Sequence, residues 1–327
     1  MGGTVLVVGS TGQVGSQIVK ILLERGQRVR ALIRRPGAKI NGAVGDLDYA
    51  VGDLGDAESL KRAMEGVDVV MSTANGIIPS GATLPIDKMS NTGYETLIKV
   101  AETAGVRRFV QSSVPSHPLE RSVPELTGKR HIEARLRSSS IPATIVRNPA
   151  FADVWLVMPG ARQAMGPDPH ATARRPYGFL KTWLRLTGDL VAKRGLLLAP
   201  GGADHGSVFV TVHDVAQMLV GVVDREDAFG EIIEAGGPEW VSWREIADLL
   251  AKKAKRSVRT LPMNANFAGF GQWVVKPFAP TAANVLGLVR FVATWQPRWN
   301  SQPIVQRFGL PPQMTVAEYI DRNWIPT

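Results

Sequence analysis

The sequence predicts an α/β fold: a doubly wound parallel sheet of the Rossmann type with a smaller, aromatic-rich C-terminal substrate-binding region. Three observations support this prediction. An apolar run near the amino terminus ends at a Gly-x-x-Gly-x-x-Gly turn. Strand and helix patterns then alternate up to residue 150, as in a parallel sheet covered by helices. All eight tryptophans and nine of the ten phenylalanines lie beyond that residue.

The glycine turn predicts a phosphate-binding site. It follows the strand Thr4–Val8, and apolar residues at helical spacing come after it. Strand, turn and helix in this order place a pyrophosphate on the free amide groups of a helix N-terminus. Gly9 permits the sharp turn, Gly12 lets the phosphates approach the backbone, and Gly15 lets helix and strand pack closely. A plain glycine turn is the alternative, but the strand and the helix on either side favour nucleotide binding.

The end of the second strand indicates which nucleotide is bound. Arg34 and Arg35 lie there, about 20 residues beyond the glycines, with no carboxylate beside them. An acidic residue at this place binds the ribose 2′-hydroxyl of NAD, whereas an arginine accommodates the 2′-phosphate of NADP. A guanidinium binds such a phosphate through paired hydrogen bonds. We therefore expect NADP(H) as the cofactor, with a solvated basic loop end as the alternative.

The remaining elements follow in chain order. Strands and helices are predicted alternately at 49–54, 56–66, 67–72, 89–104, 106–112, 125–139 and 142–147. The region 151–200 is rich in proline, glycine and arginine, which predicts an insertion or lid with one helix at 177–193. After it we predict a strand at 207–212, a helix at 214–223, a strand at 231–235 and a helix at 242–255 capped by Ser242. Residues 267–295 are apolar but interrupted by glycine and proline, and are predicted to form a hydrophobic cover.

This order predicts two regions. An NADP(H)-binding domain is expected at 1–150 and a substrate-binding and lid region at 151–327, with 207–223 and 231–235 returning to the first domain. Large rings fill ordinary protein cores, but their concentration in the second region favours an apolar or aromatic substrate pocket. The predicted partner is accordingly a small apolar or aromatic molecule.

Composition and charge exclude several classes of function. The chain has no cysteine, which excludes disulfides and thiolate catalysis, and its five histidines are scattered, so no metal site is predicted. The net charge is +9, but the basic residues are spread along the chain. A local excess at 162–194 matches no nucleic-acid-binding motif and is interpreted as a solvated face, so no nucleic-acid partner is expected. An anionic substrate group is the alternative. With no signal peptide or long apolar run recognised, a cytoplasmic protein is expected.

Eight segments, in the same order along the chain, resemble the atypical short-chain dehydrogenase/reductase group that includes NmrA-like proteins and isoflavone-reductase-like enzymes. They are 8–15 (VGSTGQVG), 29–34 (VRALIR), 52–54 (GDL), 101–113 (AETAGVRRFVQSS), 129–133 (KRHIE), 143–151 (ATIVRNPAF), 212–216 (VHDVA) and 236–239 (GGPE). The resemblance indicates the fold and the superfamily more strongly than it indicates a substrate.

The resemblance also implies a set of cofactor-binding residues. They are Gly9, Thr11, Gly12, Gln13, Val14 and Gly15 for the pyrophosphate, Arg34 and Arg35 for the 2′-phosphate, Asp53 and Leu54 for the adenine, Ala74, Asn75 and Gly76 along the cofactor, and Asn148, Pro149 and Phe151 beside the nicotinamide.

The catalytic pattern of the group is incomplete in this chain. Classical members use serine, tyrosine and lysine, with the last two in a Tyr-x-x-x-Lys motif. Here Lys129 is present, but Glu125 stands at the tyrosine position. Isoflavone-reductase-like relatives retain the lysine without this tyrosine, whereas NmrA-like sensors bind the nucleotide and catalyse nothing. A catalytic protein and a non-catalytic sensor are therefore both compatible with this motif.

The first functional hypothesis is an NADPH-dependent reductase of a small, largely apolar or aromatic carbonyl, enone or benzylic ether. Lys129 would donate a proton, directly or through water, with a pKa lowered by burial. Alternatively it only binds the ribose. Ser112 and Ser113 are candidates to hydrogen-bond a substrate oxygen, or to satisfy local backbone. His117 is a further acid–base candidate in the loop after the fifth strand, whereas His131 should face elsewhere.

Two further hypotheses belong to other classes. One is a non-catalytic, NADP(H)-sensing regulator of the NmrA type, which Glu125 favours. The other is a membrane-surface oxidoreductase of a quinone or lipid, with residues 267–295 in the interface. The oligomeric state is not predicted.

Overall fold

A seven-stranded parallel sheet forms the centre of the molecule. The computed structural model describes residues 3–74, 89–175, 178–299 and 301–326. The sheet has the strand order β3-β2-β1-β4-β5-β6-β9. Strands are added on one side of β1 as far as β3 and on the other side from β4 onward, as in a doubly wound fold. The Rossmann-type prediction is therefore confirmed. Its strands are β1 (Thr4–Val8), β2 (Arg28–Ile33), β3 (Leu47–Val51), β4 (Val67–Ser72), β5 (Arg108–Ser113), β6 (Ala143–Arg147) and β9 (Ile232–Glu234).

Helices cover both faces of this sheet, and helices of the C-terminal region build a second core. They are α1 (Gln13–Glu24), α2 (Ala57–Met64), α3 (Tyr94–Thr103), α4 (Pro124–Arg137), α5 (Ala152–Trp155), α6 (Gly178–Thr187), α7 (Leu190–Arg194), α8 (Val212–Gly221), α9 (Trp243–Ala254), α10 (Ala265–Val275), α11 (Pro280–Thr294), α12 (Gln302–Phe308) and α13 (Val316–Asn323). Within the described ranges, no helix has the length and apolar character needed to cross a bilayer.

Strand β1 is buried at every position because helices cover both faces of the sheet. Successive side chains of a strand point to opposite faces. Val5 and Val7 accordingly belong to the core formed with α1 and α8. Leu6 and Val8 belong to the core formed with α2, α3 and α4. The chain after residue 150 thus supplies both α8 and β9 to this three-layered unit.

A second core lies in the C-terminal region and is centred on Trp243, which is fully buried. Its indole N–H donates to the carbonyl of Pro200 (3.1 Å), and its ring meets Phe209 edge-on (5.3 Å between centroids). The short strands here are β7 (Leu196–Pro200), which pairs in parallel with β11 (Arg259–Met263), and β8 (Gly206–Ser207), which pairs with β10 (Val241–Ser242). Strands β7 and β11 were not predicted.

Two predicted elements are corrected by the structure. The strand expected at 207–212 is reduced to β8 and one bridge from Val210 to Phe151, because Thr211 already caps α8. The helix expected at 177–193 is two helices, α6 and α7, separated by Gly188 and Asp189. The cover at 267–295 consists mostly of α10 and α11. The predicted cap of Ser242 is confirmed as a capping box with Glu245.

Candidate active site

The residues singled out in the sequence gather at one edge of the sheet. All strands of the large sheet are parallel, so their carboxyl ends meet at this edge. The glycine turn follows β1, Arg34 follows β2, Asp53 lies just beyond β3, and Ala74 just beyond β4. Ser112 and Ser113 end β5, and Asn148 follows β6. Asn75 and Gly76 lie outside the described residues.

The glycine turn is shaped for an anion. Gly9 has a φ of +85°, which favours glycine, and its carbonyl accepts from the amide of Gly12 (2.8 Å). A side chain at Gly15 would approach the Gly9 carbonyl to 2.2 Å, so the close packing of helix and strand requires this glycine. Helix α1 begins after Gly12, which has no side chain to cap the first amide groups. Those amides and the helix dipole suit a phosphate.

A strap formed by residues 168–175 covers this turn and was not anticipated from the sequence. The backbone amide and hydroxyl of Thr172 donate to the side-chain carbonyl of Gln13 (2.9 and 2.8 Å). Arg175 donates to the carbonyl of Thr11, and His170 Nδ1 lies 3.2 Å from the same oxygen. Basic side chains from the C-terminal region thus reach the predicted phosphate site. The signal in the sequence was the local excess of basic residues at 162–194.

The residues predicted to hold the 2′-phosphate and the adenine lie at the ends of β2 and β3. Arg34 and Arg35 are both exposed. Asp53 accepts from the amide of Gly55 (2.8 Å), and Leu54 is buried. The exposure of the two guanidinium groups leaves them accessible to a ligand at the edge of the sheet.

Lys129 is buried on α4, with 5% of its surface exposed. Its Nζ donates to the backbone carbonyls of Ser112 (3.2 Å) and Ala74 (3.4 Å), at the ends of the neighbouring strands β5 and β4. Burial lowers the pKa of Lys129 to about 8, while the carboxylates of Glu125 and Glu133 partly oppose this effect. A pKa in this range suits a general acid or base near neutral pH.

Glu125, which stands where classical members have tyrosine, is also buried. It precedes Lys129 by one turn of α4, so the two side chains share a helix face. Its negative charge raises the pKa of Lys129 and favours the protonated form of the lysine. The substitution therefore replaces a proton-donating phenol with a group that changes the electrostatics around the lysine.

The two candidate serines have different surroundings. Asn148 donates from Nδ2 to the hydroxyl of Ser112 (3.2 Å), whose carbonyl also binds Lys129. The Oδ1 atom of Asn148 is buried and accepts no hydrogen bond from the part of the chain described. Ser113 instead donates to Glu133 (2.6 Å). Of the two, Ser112 is therefore the serine that binds Lys129, through its backbone carbonyl.

Glu133 is the centre of a buried ion network that the sequence did not indicate. Besides Ser113, it accepts from Arg130 (2.8 Å) and Arg147 (2.7 Å), and Arg147 also pairs with Glu234 on β9 (2.9 Å). The network connects α4 with β5, β6 and β9. It holds the helix that carries Lys129 against the ends of the strands.

His117 lies in the loop after β5, where it contacts the C-terminal helices. Its Nδ1 accepts from the amide of Leu119 (2.9 Å), which leaves the proton on Nε2, 3.4 Å from the hydroxyl of Thr294. Its ring meets Phe291 edge-on (4.8 Å between centroids). Burial lowers the pKa of His117, so the ring is neutral at neutral pH. His131 lies elsewhere, half-exposed beside Glu95.

Two further groups complete the site. Pro149 is buried after Asn148, and Phe151 is half-buried at the start of α5, which places both beside the end of β6. Tyr94, which the sequence did not single out, donates to the same Ala74 carbonyl that Lys129 binds (2.8 Å). Burial raises the pKa of Tyr94 to about 12, so this phenol remains protonated and supports the end of β4.

A cavity of about 420 Å³ lies apart from these residues. It is lined by α1, the segment 165–169, the start of α8 and the end of α13, and includes Lys20, Asp153 and Tyr319. None of the predicted site residues lines it. We therefore locate the candidate site from the strand ends and not from this cavity.

The chain has relatives among characterised proteins. It is 39% identical over 113 residues to sterol demethylase protein B of Methylococcus capsulatus, a match that covers 34% of each chain. It spans 31% to 46% of the length of several such relatives. A longer match, 24% identical over 259 residues, is to an NAD(P)H azoreductase of Xenophilus azovorans and covers 78% of this chain and 75% of that protein.

Comparison with solved structures and with protein families agrees with the resemblance stated above. The triphenylmethane reductase of Citrobacter sp., solved with NADP(H), superposes with a TM-score of 0.71 at 17% identity and covers 98% of this chain and 99% of its own. This likeness establishes a shared fold. The sequence model of the NmrA-like family matches residues 1–268. The chain therefore belongs to the NmrA-like family.

Proposed function

We propose that this protein is an NADPH-dependent reductase of a small, largely apolar or aromatic molecule. The observation that carries the proposal is the environment of Lys129. Its ammonium group is buried between the carboxyl ends of β4 and β5, and burial lowers its pKa to about 8. A reductase must supply a proton where hydride arrives, and a lysine with this pKa can do so near neutral pH. NADPH supplies the hydride when bound.

The cofactor assignment is supported by the shape of the glycine turn. The uncapped amides of α1 and the close approach of Gly15 to Gly9 fit a pyrophosphate. Arg34 and Arg35 would hold the 2′-phosphate, which a carboxylate at this place would repel. Triphenylmethane reductase, which shares the fold, is solved with NADP(H), and the azoreductase relative is named for NAD(P)H.

The roles of the site residues follow from their contacts. Ser112, oriented by Asn148, would donate to an oxygen of the acceptor, and Lys129 would deliver the proton to the same oxygen or to a water beside it. For a carbonyl acceptor, hydride adds to the carbon and the proton to the oxygen, which gives an alcohol and NADP⁺. Glu125 and Glu133 would keep Lys129 protonated enough to act at neutral pH.

The acceptor class is supported by aromatic side chains beside the site. Phe291 contacts His117, and the rings of Phe291, Trp295 and Trp299 contact one another in succession, tilted by 36° and 60°, with centroids 5.0 and 5.4 Å apart. These rings offer an apolar wall near the loop that follows β5. The triphenylmethane reductase that shares this fold is also named for a compound with three phenyl rings.

A second candidate function is an NADP(H)-sensing regulator. The observation that favours it is Glu125, which removes the phenol that passes the proton in classical members. In that case the buried Lys129 would bind the ribose and would transfer no proton to a substrate. The two functions differ in whether bound NADPH is oxidised.

The experiment compares NADPH oxidation by the wild type, Lys129→Met and Lys99→Met, an exposed lysine on α3 that serves as control. Quinones, azo dyes, a triphenylmethane dye and enones provide the acceptors. We expect Lys129→Met to lower turnover by about 10²–10⁴-fold with a much smaller loss of NADPH affinity. Equal loss of affinity and rate would make Lys129 a ribose anchor. Tight NADPH binding without oxidation by any acceptor would favour the regulator.

A further inference from the structure

We propose that helices α10 and α11 form a hairpin that docks this protein on the surface of an anionic lipid bilayer. The interaction needs neither NADPH nor catalysis, so it is independent of the proposed reductase activity. Three observations support the proposal: α10 has an exposed aromatic face, α10 and α11 pack together through other residues, and the hairpin and the segments beside it are basic.

The outer face of α10 is aromatic and exposed. Phe267, Phe270 and Trp273 expose 79%, 62% and 73% of their surfaces, and Phe278, in the connection to α11, exposes 87%. The spacing of the first three places them within one face of the helix. Phe270 and Trp273 are adjacent, with ring centroids 6.2 Å apart. Large apolar rings gathered in this way on a surface indicate an interaction site.

The hairpin packs through its opposite, small and polar face. A side chain at Gly269 would meet Arg290, and one at Gly287 would lie 2.7 Å from the amide nitrogen of Gln272. Gln272 itself is buried and donates to the carbonyl of Ser122 (3.0 Å). Buried Asn284 also lies in α11. The hairpin therefore holds together without the aromatic rings, which remain available to a partner.

The positive charge of the hairpin and its neighbouring segments indicates an anionic partner. Residues 249–317 contain no aspartate or glutamate but nine basic residues: Lys252, Lys253, Lys255, Arg256, Arg259, Lys276, Arg290, Arg298 and Arg307. Two of them are paired with carboxylates outside this segment, Lys253 with Asp321 and Arg307 with Asp227 and Glu231. Lys276 is exposed beside the aromatic face. Anionic lipid headgroups attract such a segment, and tryptophan and phenylalanine insert at the boundary between headgroups and acyl chains.

A second copy of the chain fits this surface less well. Two copies joined through the hairpin would bring two basic surfaces together, because residues 265–294 include Lys276 and Arg290 but no carboxylate to pair with them. A bilayer supplies both the negative charge and the apolar layer. We therefore assign the surface to lipid and treat self-association as an outcome of the test.

The inner side of the hairpin adjoins the candidate active site. Thr294 and Phe291 of α11 contact His117, and Gln272 binds the loop that leads into α4, the helix of Lys129. Docking would thus place the site near the bilayer, where lipophilic molecules concentrate. This consequence, unlike the docking itself, rests on the proposed reductase function.

The test is vesicle flotation with the full chain in the absence of NADPH. Vesicles contain either phosphatidylcholine alone or phosphatidylcholine with phosphatidylglycerol. The variant is Phe270→Ser/Trp273→Ser, and the control is Val44→Ser, which removes an equally exposed apolar side chain (83%) from the first domain. Thermal unfolding verifies that each variant is folded.

We expect the wild type and Val44→Ser to float with the anionic vesicles and much less with the neutral ones. The double variant should lose at least about tenfold in partitioning, and raised salt should weaken binding by the wild type. Equal flotation of wild type and double variant, or no flotation of the wild type, would overturn the proposal. A concentration-dependent dimer that the double variant abolishes, without vesicle binding, would assign the face to a second copy. Because no cofactor is present, failure of the reductase proposal leaves this result unaffected.

Discussion

Replacing Glu125 with glutamine tests whether Lys129 supplies the proton, because the Glu125 carboxylate raises the pKa of the lysine. Burial lowers that pKa from 10.5 to about 8, and Glu125 is the strongest opposing influence. Glu133 contributes less, since its charge is already paired with Arg130 and Arg147. A neighbouring opposite charge shifts a pKa by about 1–3 units. Glu125→Gln should therefore lower the pKa of Lys129 further, by about one unit.

The sign of the effect on rate follows directly. Lys129 must be protonated to act as an acid, so kcat/KM should fall as the pH rises through its pKa. The alkaline limb should lie near pH 8 in the wild type and about one unit lower in Glu125→Gln. That difference corresponds to roughly 1.4 kcal/mol against the protonated lysine.

The assay measures kcat/KM for NADPH oxidation with one acceptor across the neutral and alkaline range. Glu95→Gln is the control, because Glu95 is an exposed carboxylate paired with His131 on the outside of the molecule. An alkaline limb that stays in place in Glu125→Gln, or that persists in Lys129→Met, would refute the assignment of Lys129 as the acid. A limb that moves equally in the control would reveal a general effect of net charge.

Three further predictions concern the cofactor and the fold. Arg34→Asp should weaken the binding of NADPH by about 2–3 kcal/mol and leave the binding of NADH unaffected or improved. A titration in which both cofactors bind equally more weakly would exclude Arg34 as the residue that discriminates between them. Gly12→Val should abolish NADPH binding with the fold largely kept, and near wild-type affinity measured by calorimetry would contradict the phosphate site. Gly15→Ala should instead destabilise the protein, because the new Cβ would lie 2.2 Å from the carbonyl of Gly9, and thermal unfolding measures this loss. Glu133→Gln should lower the free energy of unfolding in urea by about 3 kcal/mol, since it removes the buried carboxylate shared by Arg130 and Arg147 and leaves them only their more exposed partners Glu120 and Glu234. An unchanged midpoint would show that the network is not stabilising.

Several features could be predicted from the sequence because local interactions produce them. The glycine turn and α1 follow from three glycines at fixed spacing and from the apolar period on either side. The cap of α9 depends on Ser242 and Glu245, three residues apart, so the sequence itself contains both partners. The parallel strands were recognisable because burial on both faces produces continuous apolar runs.

Other features depended on residues distant in the sequence, and only the tertiary structure could decide them. The strap joins Thr172 to Gln13 across 159 positions, and Glu133 binds Ser113 and Arg147, which lie 20 and 14 positions away on two strands. Neither contact leaves a periodic or local pattern. Strands β7 and β11 were missed for the same reason, since β11 is half-exposed and acquires its strand character from pairing with β7.

The sequence by itself determined the fold class and the glycine turn, because these depend on residue types at short spacing, and the family resemblance singled out Lys129 as a candidate. The tertiary structure decided what surrounds that lysine: the carbonyls of Ala74 and Ser112, the buried carboxylate of Glu125, and the surface to which the aromatic residues belong. A pKa depends on burial and on charges brought close by folding, and exposure depends on which face of a helix finds a partner. Neither quantity is defined until the chain has packed.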